Sequence, residues 1–542
     1  MKELLYILTP TDGTPVTLQH AVDGWDESFV VTERSKKYHG IFRTWTTSLR
    51  FVADGATLLR EEFYTYGMQA TCAITVQKLN RSTLTYYNAF VGSVDFSTFK
   101  DHDTTVEVTT IDRGLAQIIK TMEGESVTFN ANAFDAEFGS IDARIINRLV
   151  PPVTGSYHTA YVMPFIQVLY AVMDGITGGK ITDGTYAIKS DFLEQVPIYE
   201  RYYFTPMGSI KYPDSSKTRT VMQTSLADIW QTMNAIHCLG MGIEVIGGKE
   251  TLVIEEREFF YNTNLIHNVG SSANLSAGYL QDFLFSKVKS GYPPVDYGES
   301  ETGASSLNVS EANTETAYLI NNKGYKNEYD ITAKHRADSI GFEELWATET
   351  TETGDTDPVV VCLMSHTYES SPGVFVTITT NTGGALAKSY DPGVDFSTPW
   401  NMEISPVRNL LKHKRFINGC CFRMSGQQIT FLNGKNEQNY NETSLTQYNN
   451  PSFRDWVKEY EGFEIDDTDT WFRPIEINIE AAYPADMVSL IAANPYGVIR
   501  FNYKGNEFEG YILKMETQLT GAGSVKYSLL STASNDLTKL IR

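Results

Sequence analysis

The strongest constraint on this chain is a two-residue rhythm that returns from one end to the other. Near the C-terminus, Ile475, Ile477 and Ile479 alternate with Glu476, Asn478 and Glu480. Such a run has one apolar and one polar face only as a strand, because successive strand side chains point to opposite faces. Val498 to Tyr503, Phe508 to Met515 and Val525 to Leu530 follow, divided by Lys504-Gly505-Asn506 and Gly521-Ala522-Gly523. Alternation broken by glycine turns predicts a strand meander. The first third has the same character. Ser28 to Thr32, Ile41 to Val52, Ala70 to Leu79, Thr83 to Phe96 and Thr104 to Ile111 are rich in β-branched and aromatic residues. That spacing predicts a sandwich or barrel. No sequence repeat relates the two ends.

Helical periodicity interrupts this pattern in a few places. Asp54 is placed to cap a helix through Tyr64, with Leu58, Leu59 and Phe63 on one face. Asp112 is placed to cap another carrying Leu115, Ile118, Ile119 and Met122. Pro164 fits a first-turn proline before the stripe Phe165, Val168, Leu169, Val172 and Met173, with Gly175 as the stop. Ser225 and Asp228 form a capping-box-like pair before Leu226, Ile229, Trp230, Met233 and Ile236, with Gly240 as the stop. A hairpin should follow, Ile243 to Ile246 and Thr251 to Glu256, joined by Gly247-Gly248. Ser405-Pro406 should open a helix through Lys414. Its last turn holds most of the basic cluster Arg408, Lys412, His413, Lys414 and Arg415, complementing the helix dipole. Asp296 to Thr316 and Ala347 to Pro358 are too polar to offset their ordering entropy, which predicts loops or hairpin tips.

Length suggests three to four domains. The reading divides the 542 residues into an N-terminal β-barrel or sandwich at 1–125 and an α+β domain with a helix–hairpin unit at 126–290. A β-rich domain with long loops at 291–420 and a C-terminal β-meander or barrel at 421–542 complete it. The fold class is mainly β with α+β insertions. A net charge of -22 opposes duplex binding, which draws its affinity from clustered Lys and Arg, and suits solubility or the wall of a DNA conduit. Five scattered cysteines form no disulfide framework and fit a reducing cytosol. Cys420 and Cys421, read as strand neighbours, would be two packed thiols. The start of the chain resembles no signal peptide. Its most apolar stretch, Ala160 to Met173, contains Pro164 and Gln167 and falls short of the ~18 residues of a spanning helix, so no membrane span is expected.

The candidate chemistry is thin. Gly178-Gly179-Lys180 continues with Ile181 and has Asp174 where a phosphate loop needs its first glycine. Gly247-Gly248-Lys249 continues with Glu250, inside a hairpin. Gly521-Ala522-Gly523 joins strands and opens no helix. His102 stands between Asp101 and Asp103, yet in extended backbone both carboxylates point away from it. Glu61-Glu62, Glu255-Glu256 and Glu343-Glu344 diverge as neighbours, unlike the facing carboxyls of a glycosidase. Asp466-Asp467-Thr468-Asp469 lacks the glycine and final glutamate of a calcium loop. No catalytic, cofactor-binding or metal-ligating residue is assigned and no cofactor is expected, which reads as a non-enzyme. Thirty-one tyrosines, mostly in strand patterns, suit core and interface packing.

Three stretches resemble the baseplate hub or tail-tip proteins of tailed bacteriophages. The first is IFRTWTTSLRFVADGATLLREEF with FVGSVDFSTFKDHDTTVEVTTIDRGLAQIIK. The second is SLADIWQTMNAIHCLGMGIEVIGGKETLVIEE. The third is ISPVRNLLKHKRFI with NPYGVIRFNYKGNEFEGYILKMET. The resemblance implies a virion tail component assembled in the host cytoplasm. It implies a homo-oligomeric ring, a trimer or alternatively a hexamer, contacting tail tube, tape-measure and fibre or spike proteins. Genome DNA would pass the lumen without specific binding. It supplies no catalytic residues. The alternatives are a glycan-binding receptor protein at the tail periphery, a distal tail ring protein, and a hydrolase with carboxylates gathered across domains.

Overall fold

The computed structural model describes residues 4–539 apart from 24–28, 81–83, 131–143, 150–156, 196–197, 199–201, 208–220, 294–311, 316–326, 336–356, 363–366, 369–374, 378–405, 422–427, 434–461, 483–486 and 519–523, and single residues 12, 21, 113, 248, 273, 286 and 431. The chain is mainly β, with several curled sheets and inserted helices.

The N-terminal lobe contains β1 (Leu4–Thr9), β2 (Val16–Thr17), β3 (Phe29–Arg34), β4 (Ile41–Val52), β5 (Ala73–Asn80), β6 (Thr85–Asp101) and β7 (Thr105–Asp112). Leu49 and Phe51 of β4, and Val106 and Val108 of β7, point inward and are fully buried. Helix α1 (Ala53–Tyr66) covers this core with Ala56 and Leu59. The expected cap is corrected. Strand β4 runs straight into α1, so Val52 takes the N-cap position without a side-chain bond. Asp54 lies in the first turn and instead accepts the Gln19 amide and His20 Nδ1. Asp112 likewise belongs to β7, and Gly114 precedes α2 (Leu115–Met122). The orphan Leu115 amide donates to Glu250 Oε2 at 2.8 Å, a cap supplied from far along the chain.

The central unit packs α3 (Phe165–Thr177) and α4 (Leu226–His237) beside the hairpin β8 (Leu239–Ile246) and β9 (Lys249–Glu256). Ser225 caps α4 as expected, accepting the Asp228 amide at 3.2 Å. Ile246 pairs with Lys249 at the tip of the hairpin. Pro164 is the N-cap rather than the first helical residue. Of the two glycines expected as stops, Gly175 lies inside its helix and Gly240 beyond the end of its own; the true ends are Gly178 and Cys238, both left-handed. Gly175 and Gly240 serve close packing: a Cβ on the first would meet Val127 at 2.4 Å, and one on the second would meet Phe260 at 2.3 Å.

The C-terminal lobe is a six-stranded curl in the order β11-β12-β15-β14-β13-β10. Its strands are β10 (Leu265–Ser271), β11 (Leu275–Tyr279), β12 (Phe472–Ala482), β13 (Val498–Tyr503), β14 (Asn506–Gln518) and β15 (Ser524–Thr532). Ile475, Ile477 and Ile479 face its core, as the alternation predicts. Ser272, between the two edge strands, donates its amide to Asn502 and its hydroxyl to the Asn274 and Glu480 carbonyls, drawing the edges together. The two lobes belong to one thirteen-stranded sheet. Phe29–Glu33 of β3 pair antiparallel with Lys514–Gln518 of β14.

The basic cluster needs a second correction. The helix opened by Pro406 breaks at His413 into α5 (Pro406–Lys412) and α6 (Lys414–Cys420), so Lys414 begins a helix and does not end one. Cys420 and Cys421 sit at the end of α6, not on a strand, and enter two different cores. Most of Asp296 to Thr316 lies outside the described residues, but Ala312–Glu315 is a strand and not a loop. Ala347 to Thr356 also lies outside them, while Pro358 opens the strand Pro358–Cys362.

Candidate functional site: a buried junction and exposed strand edges

The turn between β3 and β4, Ser35–Gly40, carries the junction of the three units. Tyr38 enters the central core and packs edge-on against Trp230 at 5.2 Å. Its carbonyl accepts the Met241 amide at 2.7 Å, and its hydroxyl donates to Glu123, which also pairs with Lys37. Ile41, three residues on, enters the C-terminal core. Gly40 is required here, since an added Cβ would lie 2.2 Å from the Met241 carbonyl. His39 adopts a left-handed backbone (φ +63°), unusual for a residue with a side chain and held by its surroundings.

Two buried arginines flank His39. Arg34 Nη1 donates to the carbonyls of His39 (2.7 Å) and Phe260 (2.6 Å), its Nε donates to Ile512 (3.1 Å), and it lies over the Tyr261 and Tyr511 rings. Arg257 closes a ring of polar bonds. Its Nη1 donates to the Tyr329 hydroxyl (2.6 Å), which donates to His413 Nδ1 (2.7 Å). His413 Nε2–H donates to the Asn234 carbonyl (2.9 Å), and Asn234 Oδ1 accepts from Arg257 Nη2 (2.7 Å). The carbonyl on one side sets the tautomer, leaving His413 Nδ1 as acceptor. His39 Nδ1 meets the Tyr261 hydroxyl at 2.8 Å. Burial holds both histidines well below the ordinary imidazole range, and the nearby Arg257 adds to it. Burial also raises the Tyr261 and Tyr329 hydroxyls, and pushes Tyr511 up to about 12. Cationic heads bonded to carbonyls and tyrosines, and ringed by aromatics, fix orientation between elements. They leave no vacant acid–base pair for chemistry.

The residues singled out from sequence are dispersed, and most of those described are engaged locally. Gly178 and Gly179 close the C-terminal end of α3, donating to the Asp174 carbonyl, while Asp174 Oδ1 accepts the Ile181 and Thr182 amides. That is the negative pole of a helix, opposite to a phosphate cradle. Gly247 and Lys249 lie in the β8–β9 turn; Gly521 to Gly523 and Glu343-Glu344 lie outside the described residues. His102 is in the β6–β7 turn, and its neighbour Asp101 is held by Arg60 (2.8 Å) and Tyr64 (3.2 Å). Glu62 is buried and accepts both the amide and hydroxyl of Thr11, while Glu61 is exposed. Glu255 caps the turn at Asp191 and Phe192. Asp466 forms an Asx turn with Thr468, Asp467 pairs with Arg473, and Asp469 pairs with Arg415. Arg415 also reaches Glu258 at 2.7 Å and covers Trp471. Among the described residues no group of three or more His, Cys, Asp or Glu is placed to hold a metal. None of their helices is long and apolar enough to cross a membrane.

Sequence reading missed Arg34, His39, Arg257 and Tyr329. The one available signal was a charged residue set in an apolar strand or turn: Arg34 closing β3, and Arg257 after LVIEE.

The outer surfaces offer something different. Edge strand β11 is largely exposed, with Tyr279 at 59%, and among the described residues its one strand partner is β12. Leu265 on the other edge strand, β10, is 45% exposed, and Val245 at the β8–β9 tip is 61% exposed.

No protein-family model and no curated protein matches the sequence. Among solved structures, the chain is similar to the prophage tail protein gp18 from Listeria monocytogenes EGD-e (8% identity, 99% of this chain and 97% of that one, TM-score 0.35). It is also similar to the 43 kDa tail protein of prophage MuSo2 from Shewanella oneidensis (7% identity, 98% and 97%, TM-score 0.34). A third is a tail protein from Neisseria meningitidis MC58 (6% identity, 98% and 97%, TM-score 0.32). With overlaps this low, the functional reading rests on this chain's own residues.

Proposed function

We propose that this chain is a structural, non-enzymatic component of a phage tail tip or baseplate, working in a ring of its own copies that joins the tail tube to fibre or spike proteins. The observation that carries the reading is the exposed strand edge of the C-terminal lobe, where β11, paired among the described residues with β12 alone, presents Tyr279. An open edge is a template for pairing with another chain, and ring closure covers it. The buried junction supports the same role, because it ties both lobes and the central unit into one body that transmits load. The excess of acid, -22 overall, suits a lumen that DNA passes without sticking. The division at 1–125, 126–290, 291–420 and 421–542 is part of this proposal, with the β3–β4 hairpin tying the first unit to the last. In the virion the chain sits in the tail, after assembly in the host cytoplasm.

The test is the mass of the full chain in solution by light scattering at micromolar concentration, alone and with tail-tube protein. A trimer or hexamer is expected. A monomer in both conditions, or a labelled virion with the chain away from the tail axis, sinks the proposal.

A further inference from the structure

Among the described residues the thirteen-stranded sheet ends in three edge strands, β2, β10 and β11, and two of them are blunted. Strand β2 is only Val16–Thr17 and follows Pro15. Strand β10 pairs with β13 through breaks in register, between Leu265 and His267 and between Asn268 and Ser271. Short length, proline and irregular pairing are devices by which free edges avoid other chains. Strand β11 has none of the three guards found on its counterparts. Leu275-Ser276-Ala277-Gly278-Tyr279 contains no charged residue and no proline, and it runs in unbroken register beside β12.

The same register shows that β11 carries an uncovered piece of core face. Leu275, Ala277 and Tyr279 stand directly opposite Ile479, Ile477 and Ile475. Directly opposed residues share a face, and those isoleucines are buried in the C-terminal core. The three β11 residues therefore lie on the core side of the sheet. Leu275 packs against that core, but Ala277 and Tyr279 are exposed. The charge pattern selects what covers them. From Phe259 to Gln281 the chain has no Asp, Glu, Lys or Arg, although its net charge is -22. Copies of so acidic a chain repel one another, and a charge-free strip is where they can touch without that cost. A basic partner would draw on acids instead.

We propose that a second copy of this chain lays an extended segment along β11 and covers Ala277 and Tyr279 with its apolar side chains, so that each C-terminal core is completed by its neighbour. The inference rests on the ring reading above and adds which face of β11 the neighbour takes. Backbone pairing alone would leave the two faces of β11 equivalent. Completion of the core makes the Ala277 face the sensitive one.

Two single variants separate the faces. Ala277→Lys and Ser276→Lys add the same charge at adjacent exposed positions, on opposite faces of the strand. Light scattering of the full chain over a concentration series reads assembly. Ala277→Lys should weaken it about 100-fold, because the ammonium would be desolvated without a partner. Ser276→Lys should stay within about 3-fold of wild type. Assembly that survives Ala277→Lys, or that falls equally in both variants, overturns the inference and leaves the ring reading standing. A wild type that remains a single chain at every concentration overturns that reading as well. Normal assembly of Ala277→Lys with loss of binding to tail-tube protein gives the strip to that protein, and also overturns the second copy. Should Ala277→Lys fail to fold, the wild type decides. Nitration of Tyr279 by tetranitromethane, mapped by mass spectrometry, should be lost on going from dilute single chains to the assembly; equal nitration in both overturns the inference.

Discussion

The N-terminal core and the junction core solve the same problem with opposite materials. The first is built from Leu8, Leu49, Phe51, Leu59, Ile74, Val76, Val106 and Val108, all fully buried and without a polar atom between them. The second buries Arg34, Arg257, His39 and His413 among Tyr261, Tyr329, Tyr511 and Phe416. Apolar packing is non-directional and tolerates substitutions that keep volume. A bonded polar network admits one arrangement, since each unpaired buried group costs about 1–3 kcal/mol. The lobe with the apolar core is thereby stable, and the junction is specific: the first sets whether the protein folds, the second how its parts are aligned.

Several changes separate the two. Phe51→Ala opens a cavity in the N-terminal core and should cost about 3–5 kcal/mol in denaturant unfolding, with no change in its pH dependence. Arg257→Leu leaves the Tyr329 hydroxyl and Asn234 Oδ1 short of a donor and should cost about 3 kcal/mol. Its signature is loosened exchange at the turn and at α6, where Phe51→Ala spares both. An equal, uniform loss from the two variants would erase the distinction. The junction should also lose about 1.4 kcal/mol per pH unit for each histidine as pH falls below 6.5, measured as unfolding free energy from pH 7.5 to 5. The direction follows from folded-state values depressed by burial. Ser225→Ala removes the α4 cap and should cost about 1 kcal/mol, read from the melting temperature. Smallest for the fold is Tyr279→Ser on exposed β11, within about 0.5 kcal/mol of wild type, yet it should lower the oligomer mass seen by light scattering.

The alternation of Ile475, Ile477 and Ile479, the strand Ile41–Val52 and the Ser225 cap were legible because each depends only on near neighbours. The misreadings share a cause. Asp54 and Asp112 have the right chemistry for caps, but α1 starts directly from β4 and α2 takes its carboxylate from Glu250. Cys420 and Cys421, read as strand neighbours, end α6 instead, and Gly419 lets that helix pack closely: a Cβ there would strike Thr470 Oγ1 at 2.5 Å. Glycine marks a chain end and a close contact equally well, and only the neighbour tells which.

The sequence by itself determined the class of local structure: strands where apolar residues recur every second position, helices where they recur every third or fourth, and turns between. Those periods act over a few residues, through backbone sterics and one-sided burial. Only the tertiary structure decided that β3 pairs with β14, nearly five hundred residues away, and that Arg34, His39, Arg257 and His413 meet. Such pairings are selected by shape and by the cost of leaving a buried polar group unbonded, and neither quantity exists until the partners are side by side.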